Sequence, residues 1–299
     1  MSRQSKVLIL GYGEMGHAME YLLDERQQLF IWDKFPVNNF QSVVLEDVAS
    51  EMDVVLFCLP VNPHREIASM LSPLLKNTCL CISIAKGLDD TGQTAAQIFH
   101  DVFSTHQPYA LLYGPMISEE IRVGRYAFAQ LGSDDEGIYN RVCTIFGGTH
   151  LYIEHTSDIP GISWSVVLKN VYALLFGMAD ELQLGDNMRG YLLVAALREL
   201  DVIVRDMGGR TGSSYHLAGL GDLVTTATSE DSHHHELGRM LARGEVNNIE
   251  GEGIHTLAII SKFQLINIED FPLFNLIYDI VNKSQDANES ILNYMKRSV

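Results

Sequence analysis

Gly11, Gly13 and Gly16 stand at G-x-G-x-x-G spacing in Gly11-Tyr12-Gly13-Glu14-Met15-Gly16, and an acid, Asp33, follows. Residues of these types in this order can hold a dinucleotide. Gly11 permits a tight turn, Gly13 lets the backbone approach a pyrophosphate, and Gly16 lets a following helix pack on a sheet. The pyrophosphate would lie on the helix N-terminus, where backbone N–H groups and the helix dipole favour an anion. A carboxylate roughly 20 residues downstream would accept hydrogen bonds from the adenosine ribose and repel a 2′-phosphate, so NAD is expected over NADP. The plain alternative is an ordinary turn between strand and helix.

Other chemistry-bearing residues lie further along. Lys169 and Asn170 interrupt a stretch, residues 162–182, that is apolar nearly all round. A lysine there is costly unless it is paired or used, since burial disfavours its charged form. A snorkelling lysine whose amine reaches solvent is the alternative. Lys86 lies between Ala85 and Gly87 at a strand end, on the rim where a cofactor would lie. Asp222 and Thr226 are four apart and can share a helix face. His233, His234 and His235 are consecutive, so they cannot all face one point on a helix, and no metal site is expected.

The elements that must position these groups read clearly at the start. Val7-Leu8-Ile9-Leu10 is a buried strand, Met19, Leu22 and Leu23 have helical spacing, and Leu29-Phe30-Ile31-Trp32 is a second strand ending at Asp33. Val43-Val44-Leu45 reads as a short strand. Residues 53–59 and 79–84 read as strands covered on both faces. A helix through Ile67, Met70 and Leu71 separates them. Later strands are expected at 109–113, 127–132 and 151–153. Alternating strand and helix predicts a parallel sheet with right-handed crossovers, with ligands beyond the C-terminal strand ends. Leu59-Pro60-Val61-Asn62 and Ala85-Lys86-Gly87 are the candidate site loops there. The alternation stops near 158–161, so a boundary is expected there. Helical periodicity follows, with a buried helix at 162–182 and a second helix capped by Asp186 and ended by Gly208-Gly209.

The chain has 299 residues, 46% hydrophobic, and a formal net charge of -17. That length can bury two cores. The charge argues against nucleic acid and anionic membranes as partners, and means that an anionic small-molecule substrate needs locally concentrated cations. Cys58, Cys79, Cys81 and Cys143 lie in or near apolar runs without zinc or CxxC spacing, which predicts reduced core thiols and a cytoplasmic protein. The first six residues are too short and polar for a signal peptide, and no stretch reads as a membrane span.

Several separate motifs, in order over nearly the whole chain, resemble NAD(P)-dependent glycerol-3-phosphate dehydrogenases. They are Ala85-Lys86-Gly87-Leu88, Leu168-Lys169-Asn170-Val171, Leu184-Gly185-Asp186-Asn187 and Leu217-Ala218-Gly219-Leu220-Gly221-Asp222-Leu223, with looser matches at Tyr113-Gly114-Pro115, Glu120 and Glu252-Gly253. The resemblance implies an α/β fold: an N-terminal Rossmann-type domain, residues 1–158, and an all-helical substrate domain, residues 159–299. It implies reversible hydride transfer between NADH and dihydroxyacetone phosphate, and a homodimer. Lys169 matches the catalytic lysine, Lys86 a lysine beside the substrate, and Asn170 a neighbouring polar contact. Asp222 and Thr226 match residues lining the reacting end. The cofactor would touch Gly11, Tyr12, Gly13, Glu14, Met15, Gly16, Asp33, Pro60, Lys86 and Glu252. Reduction of a ketone needs a hydride and a proton, and Lys169 could supply the proton, with Lys86 and Asp222 tuning its charge.

The pattern departs from the family at the phosphate end. The family carries an Arg-Asn pair where this chain has His233 and His234. A histidine is a weaker phosphate partner than the fork-shaped, permanently charged arginine. Glu119 stands where a lysine is usual, and Arg189 replaces a lysine. A dehydrogenase of the same architecture acting on another small hydroxy or keto compound is therefore the alternative, and a non-catalytic cofactor sensor the third reading.

Overall fold

The computed structural model describes residues 4–36, 40–103, 107–229, 232–245 and 249–298. The described residues form two compact units: 1–89 with 93–159, and 90–92 with 160–299.

The first unit is a seven-stranded sheet with helices on both faces. Its elements are β1 (Lys6–Leu10), α1 (Glu14–Leu23), β2 (Gln28–Trp32), α2 (Leu45–Val48), β3 (Val54–Phe57), α3 (His64–Leu71), β4 (Leu80–Ser83), α4 (Ala95–Phe103), β5 (Tyr109–Tyr113), α5 (Ser118–Arg122), β6 (Ala127–Gly132), α6 (Glu136–Ile145) and β7 (Leu151–Thr156). The order across the sheet is β2-β1-β3-β4-β5-β6-β7. Period-2 alternation sends side chains to opposite faces. Val7, Ile9, Val54, Leu56, Leu80 and Ile82 pack with Met19, Leu23, Val142 and Ile145 on one face. Leu8, Leu10, Val55, Phe57 and Cys81 pack with Ile67, Leu71, Phe99 and Phe103 on the other. β1 is hydrogen-bonded to β2 on one side and β3 on the other, both parallel. The strand order therefore reverses at β1, and in open sheets of this kind ligands bind beyond the C-terminal end of the strand at such a reversal.

Four expectations need correction, the last of them in the helical unit. The sheet is not wholly parallel: β6 runs antiparallel to β5, with Leu112 opposite Leu131. The link between them holds only the five-residue α5, and so short a connection favours a chain that turns back over one that crosses over. β6 and β7 are again parallel, joined through α6. Val43-Val44-Leu45 is not a strand. Val43 donates one backbone hydrogen bond to Ile31, and Leu45 already begins α2, whose first turn is favoured by Glu46 and Asp47 at its positive end. Asp186 is not a cap: Gly185 takes that position with no side-chain bond, and Asp186 is the first helical residue.

The second unit is helical: α7 (Ile159–Glu181), α8 (Asp186–Asp206), α9 (Asp222–Thr228), α10 (His233–Ala242), α11 (Glu252–Phe263), α12 (Pro272–Lys283) and α13 (Ala287–Ser298). A π-helical turn, Leu217–Gly221, leads into α9. Contrary to the sequence reading, α7 is long and apolar enough to cross a membrane, but its apolar window is 100% buried. It is a core helix, apolar on all sides because other elements surround it. A Cβ on Gly177 of α7 would fall 2.0 Å from the His235 carbonyl oxygen, and one on Gly238 of α10 would fall 2.1 Å from that of Leu174. The two helices thus touch backbone to backbone, which fixes the α10 histidines relative to α7.

Candidate active site

In the first unit the glycine turn follows β1 directly. Gly11 has φ +90, and a Cβ there would meet Leu59 Cδ2 at 2.7 Å and the Cys58 carbonyl at 2.9 Å. A Cβ on Gly16 would fall 2.2 Å from the Gly11 oxygen, so only glycine lets α1 start this close to the turn. At Gly13 the geometry is the reverse: a Cβ would meet nothing within 4 Å. Gly13 is also the N-cap of α1 and makes no side-chain capping bond. Open space above a helix N-terminus, whose first N–H groups have no intrahelical partner, fits a pyrophosphate.

Asp33 follows β2 directly and ties the turn to it. Its Oδ2 accepts from the Tyr12 N–H at 2.7 Å, and its Oδ1 from the Phe35 N–H at 2.7 Å. The Tyr12 N–H is thus committed to Asp33 and does not serve a phosphate. The Tyr12 ring folds back between His17 and Phe40, with centroids 3.9 and 4.5 Å away. Its hydroxyl donates to Glu20 at 2.5 Å. Burial and then Glu20 push its pKa up to about 12. Glu14 is exposed and pairs with Arg122 at 3.0 Å. Met15 packs against the sheet core.

Further along the same strand ends lie Pro60 and Lys86. Lys86 Nζ donates to the Gly114 carbonyl at 3.0 Å, so the loop after β4 is fastened to the one after β5. The sequence reading missed His64, which is fully buried below these loops. It gave no local signal, because one partner is a backbone carbonyl, that of Pro60, and the other is a hydroxyl on β4, 19 residues away.

In the second unit Lys169 is nearly buried and does not snorkel. Its Nζ donates to Thr226 Oγ1 at 2.7 Å and lies 3.3 Å from Asp222 Oδ2, with 5% and 4% of the Lys169 and Asp222 side chains exposed. Thr226 Oγ1 donates in turn to the Asp222 carbonyl at 2.7 Å. The π-helical turn sets where α9 begins, and so places both partners on the face toward Lys169.

Asn170, the next residue, is fully buried. Its Nδ2 donates to Glu252 Oε2 at 3.0 Å, and a carboxylate can only accept, so the amide orientation is fixed. That leaves Asn170 Oδ1, which is buried and takes no hydrogen bond among the described residues. A buried acceptor without a donor is costly, and a hydroxyl or amide of a bound molecule would satisfy it.

The three histidines diverge. His233 Nε2 bonds the Glu250 carbonyl at 3.2 Å near the surface. His235 is buried and bonds Asp180 at 2.7 Å, a carboxylate that also holds Arg189 at 2.6 Å. The His234 ring edge faces Gly253, which itself lies against the Asn170 carbonyl. His233 and His234 thus flank the Asn170–Glu252 end of the site without forming the fork an arginine would supply.

Models of the N-terminal and C-terminal parts of NAD-dependent glycerol-3-phosphate dehydrogenase match residues 34–138 and 158–292. A glycerol-3-phosphate dehydrogenase [NAD(P)+] from Mycobacterium bovis is 30% identical, covering 87% of this chain and 85% of the relative. The chain belongs to the NAD-dependent glycerol-3-phosphate dehydrogenase family. A second such relative, from Agrobacterium fabrum, is 28% identical over 85% of this chain and 78% of its own length. Glycerol-3-phosphate dehydrogenase from Coxiella burnetii has the same fold, with a TM-score of 0.85 at 20% identity over 98% of this chain and 99% of its own. The family is one of NAD(P)-dependent oxidoreductases, and the mostly parallel seven-stranded sheet followed by helices is its architecture.

Proposed function

We propose that this chain catalyses the reversible NADH-dependent reduction of dihydroxyacetone phosphate to sn-glycerol 3-phosphate, with Lys169 as the proton donor to the forming alcohol. The observation that carries the reading is the buried Lys169–Asp222–Thr226 cluster in a member of this family. Bound NADH would supply the hydride to the substrate's C2 carbon. Lys169 donates a proton to the carbonyl oxygen as the C=O double bond becomes a C–O single bond. Asp222 and Thr226 keep the amine in place and aimed, and the ammonium charge stabilises the developing alkoxide. Asn170 Oδ1 receives a substrate hydroxyl, while Glu252 holds the other end of that amide.

In this reading residues 1–158 bind the cofactor and 159–299 the substrate. The turn at residues 11–16 holds the pyrophosphate, Asp33 the ribose, and Pro60 and Lys86 border the nicotinamide and the substrate. The enzyme works as a cytoplasmic homodimer, with NAD preferred over NADP.

One observation favours a second reading. At the positions of the family's Arg-Asn pair, His233 is held by a backbone carbonyl and His234 by its packing on Gly253. A substrate with a less demanding anionic end than a phosphate ester suits such a site. Steady-state NADH oxidation with dihydroxyacetone phosphate, dihydroxyacetone and carboxylate analogues separates the two. The first reading expects kcat/KM highest for the phosphate ester; negligible turnover of it beside a good rate with another ketone would select the second.

A further inference from the structure

His64 is the first residue of α3 and is 0% exposed. It packs against the Phe57 and Phe99 rings, with centroids 5.1 and 5.6 Å away. Its Nδ1 lies 2.9 Å from the Pro60 carbonyl oxygen and its Nε2 lies 2.9 Å from Ser83 Oγ. A carbonyl oxygen can only accept, so Nδ1 carries the proton and Nε2 is the acceptor. Ser83 must then donate its hydroxyl proton to Nε2. The same Ser83 oxygen accepts the Ala85 N–H at 3.2 Å. Every proton along this line has one direction: Ala85 N–H to Ser83, Ser83 O–H to His64, His64 N–H to Pro60.

The line joins two loops that a sheet ladder does not join. Pro60 lies beyond the end of β3, and Ala85 and Lys86 lie beyond the end of β4. Lys86 carries the connection on to Gly114 beyond β5. We propose that His64 is a positioning residue, which sets the spacing between the Pro60 loop and the Lys86 loop through a fixed Nδ1–H tautomer. The proposal rests on the reading that Pro60 borders the cofactor and Lys86 the substrate. Burial supports it from another side: it pushes the His64 pKa down to about 4, against a smaller upward effect of the Pro60 bond, and no charged side chain contributes. The imidazole is therefore neutral, as the proton line requires. A protonated ring would donate from both nitrogens and leave the Ser83 hydroxyl without its acceptor.

The two arms are separable by substitution. Ser83→Ala removes the Lys86 arm and leaves the Pro60 arm. His64→Asn does the same from the other end, because an Asn amide nitrogen falls near the place of Nδ1 and cannot reach Ser83. His64→Phe keeps the ring packing and loses both arms. Ser83→Ala and His64→Asn are expected to lower kcat about tenfold while the NADH Kd stays within about twofold, since a small misplacement of one reacting-end group acts on the chemical step. His64→Phe is expected to lower kcat similarly and to weaken NADH binding about tenfold as well, with Asn restoring the binding. If all three variants lower Tm while kcat and NADH Kd stay as in the wild type, His64 only fills the core and the proposal fails. Imidazole 15N NMR on the wild-type protein tests the geometry without any variant. The Nδ1–H tautomer at pH 7 is expected; the Nε2–H tautomer, or an imidazolium, overturns the proposal. Should the wild type turn over no ketone, the proposed reaction is wrong, and the tautomer and the NADH Kd difference between Asn and Phe still decide the role of His64.

Discussion

Replacing Lys169 by methionine leaves Asp222 as a buried carboxylate without its cation. The two side chains are 5% and 4% exposed and 3.3 Å apart. At that distance and an effective dielectric of about 20, their attraction is on the order of 5 kcal/mol. Desolvation offsets much of this in the intact pair, but removing one partner exposes the full penalty, roughly 3–5 kcal/mol. Lys169→Met should therefore lower the unfolding free energy by about that much, and Tm by on the order of 10 °C. Asp222→Leu should cost a similar amount. The double variant Lys169→Met/Asp222→Leu removes both charges and should recover at least about 2 kcal/mol relative to the sum of the singles. Catalysis should not follow stability. Loss of the proton donor costs about 10²–10⁴ in kcat, and the double variant should stay as inactive as Lys169→Met. Urea unfolding with parallel NADH-oxidation assays measures both quantities. Turnover by Lys169→Met within about tenfold of wild type, or recovery of turnover with stability in the double variant, would refute the assignment of the amine to chemistry.

Other consequences are open to measurement. Lys169→Ala should bind NADH with nearly wild-type affinity, because the cofactor reading places the dinucleotide on residues 11–16 and Asp33; fluorescence titration checks this, and lost NADH binding would count against it. Asp33→Ala should narrow the NAD:NADP preference in kcat/KM, and an unchanged ratio would mean that the carboxylate does not read the ribose. His64, buried and neutral, has its pKa lowered from 6.5 to about 4. The unfolded chain takes up its proton first, so the stability His64 contributes is complete above about pH 6.5 and falls away as pH drops toward 4. The sum is about 3 kcal/mol, of which about 2 kcal/mol is gone at pH 5. His64→Phe should flatten that part of the urea-derived stability profile, and an unaltered profile would show that another group is responsible. Gly238→Ala drives a methyl group into the Leu174 carbonyl and should cost at least about 2 kcal/mol, read as a lower urea midpoint; an unchanged midpoint would mean that α7 and α10 are not in backbone contact.

What was legible in the sequence was local. The glycine turn, its flanking strands and Asp33 lie within 28 consecutive residues, 6–33, and their strand-turn-helix-strand order is written in hydrophobic periodicity and glycine spacing. The all-apolar α7 was legible because a helix surrounded by protein leaves no polar stripe, though the same feature hid how closely it approaches a membrane-spanning composition. The direction of β6 was missed because strand–helix alternation by itself predicts a parallel sheet; only the shortness of the link after β5, which holds one small helix, hints that the chain turns back. Spacing alone could not bring Lys169 to Thr226, 57 residues away in sequence; family resemblance suggested both as site residues, and the contact comes from the π-helical turn and the packing of α9. His64 was invisible for the same reason. Ser83 lies 19 residues from it on another strand, and a histidine among apolar residues gives no hint of which hydroxyl the fold will bring to it.

The central claim is that the Lys169 amine meets the reacting oxygen of a ketone or alcohol. A crystal structure of the enzyme with NAD and glycerol 3-phosphate measures this directly. The account predicts Lys169 Nζ within hydrogen-bond reach, about 3 Å, of the C2 hydroxyl oxygen. A substrate oxygen bound beyond the reach of Lys169, even through one water, would contradict it.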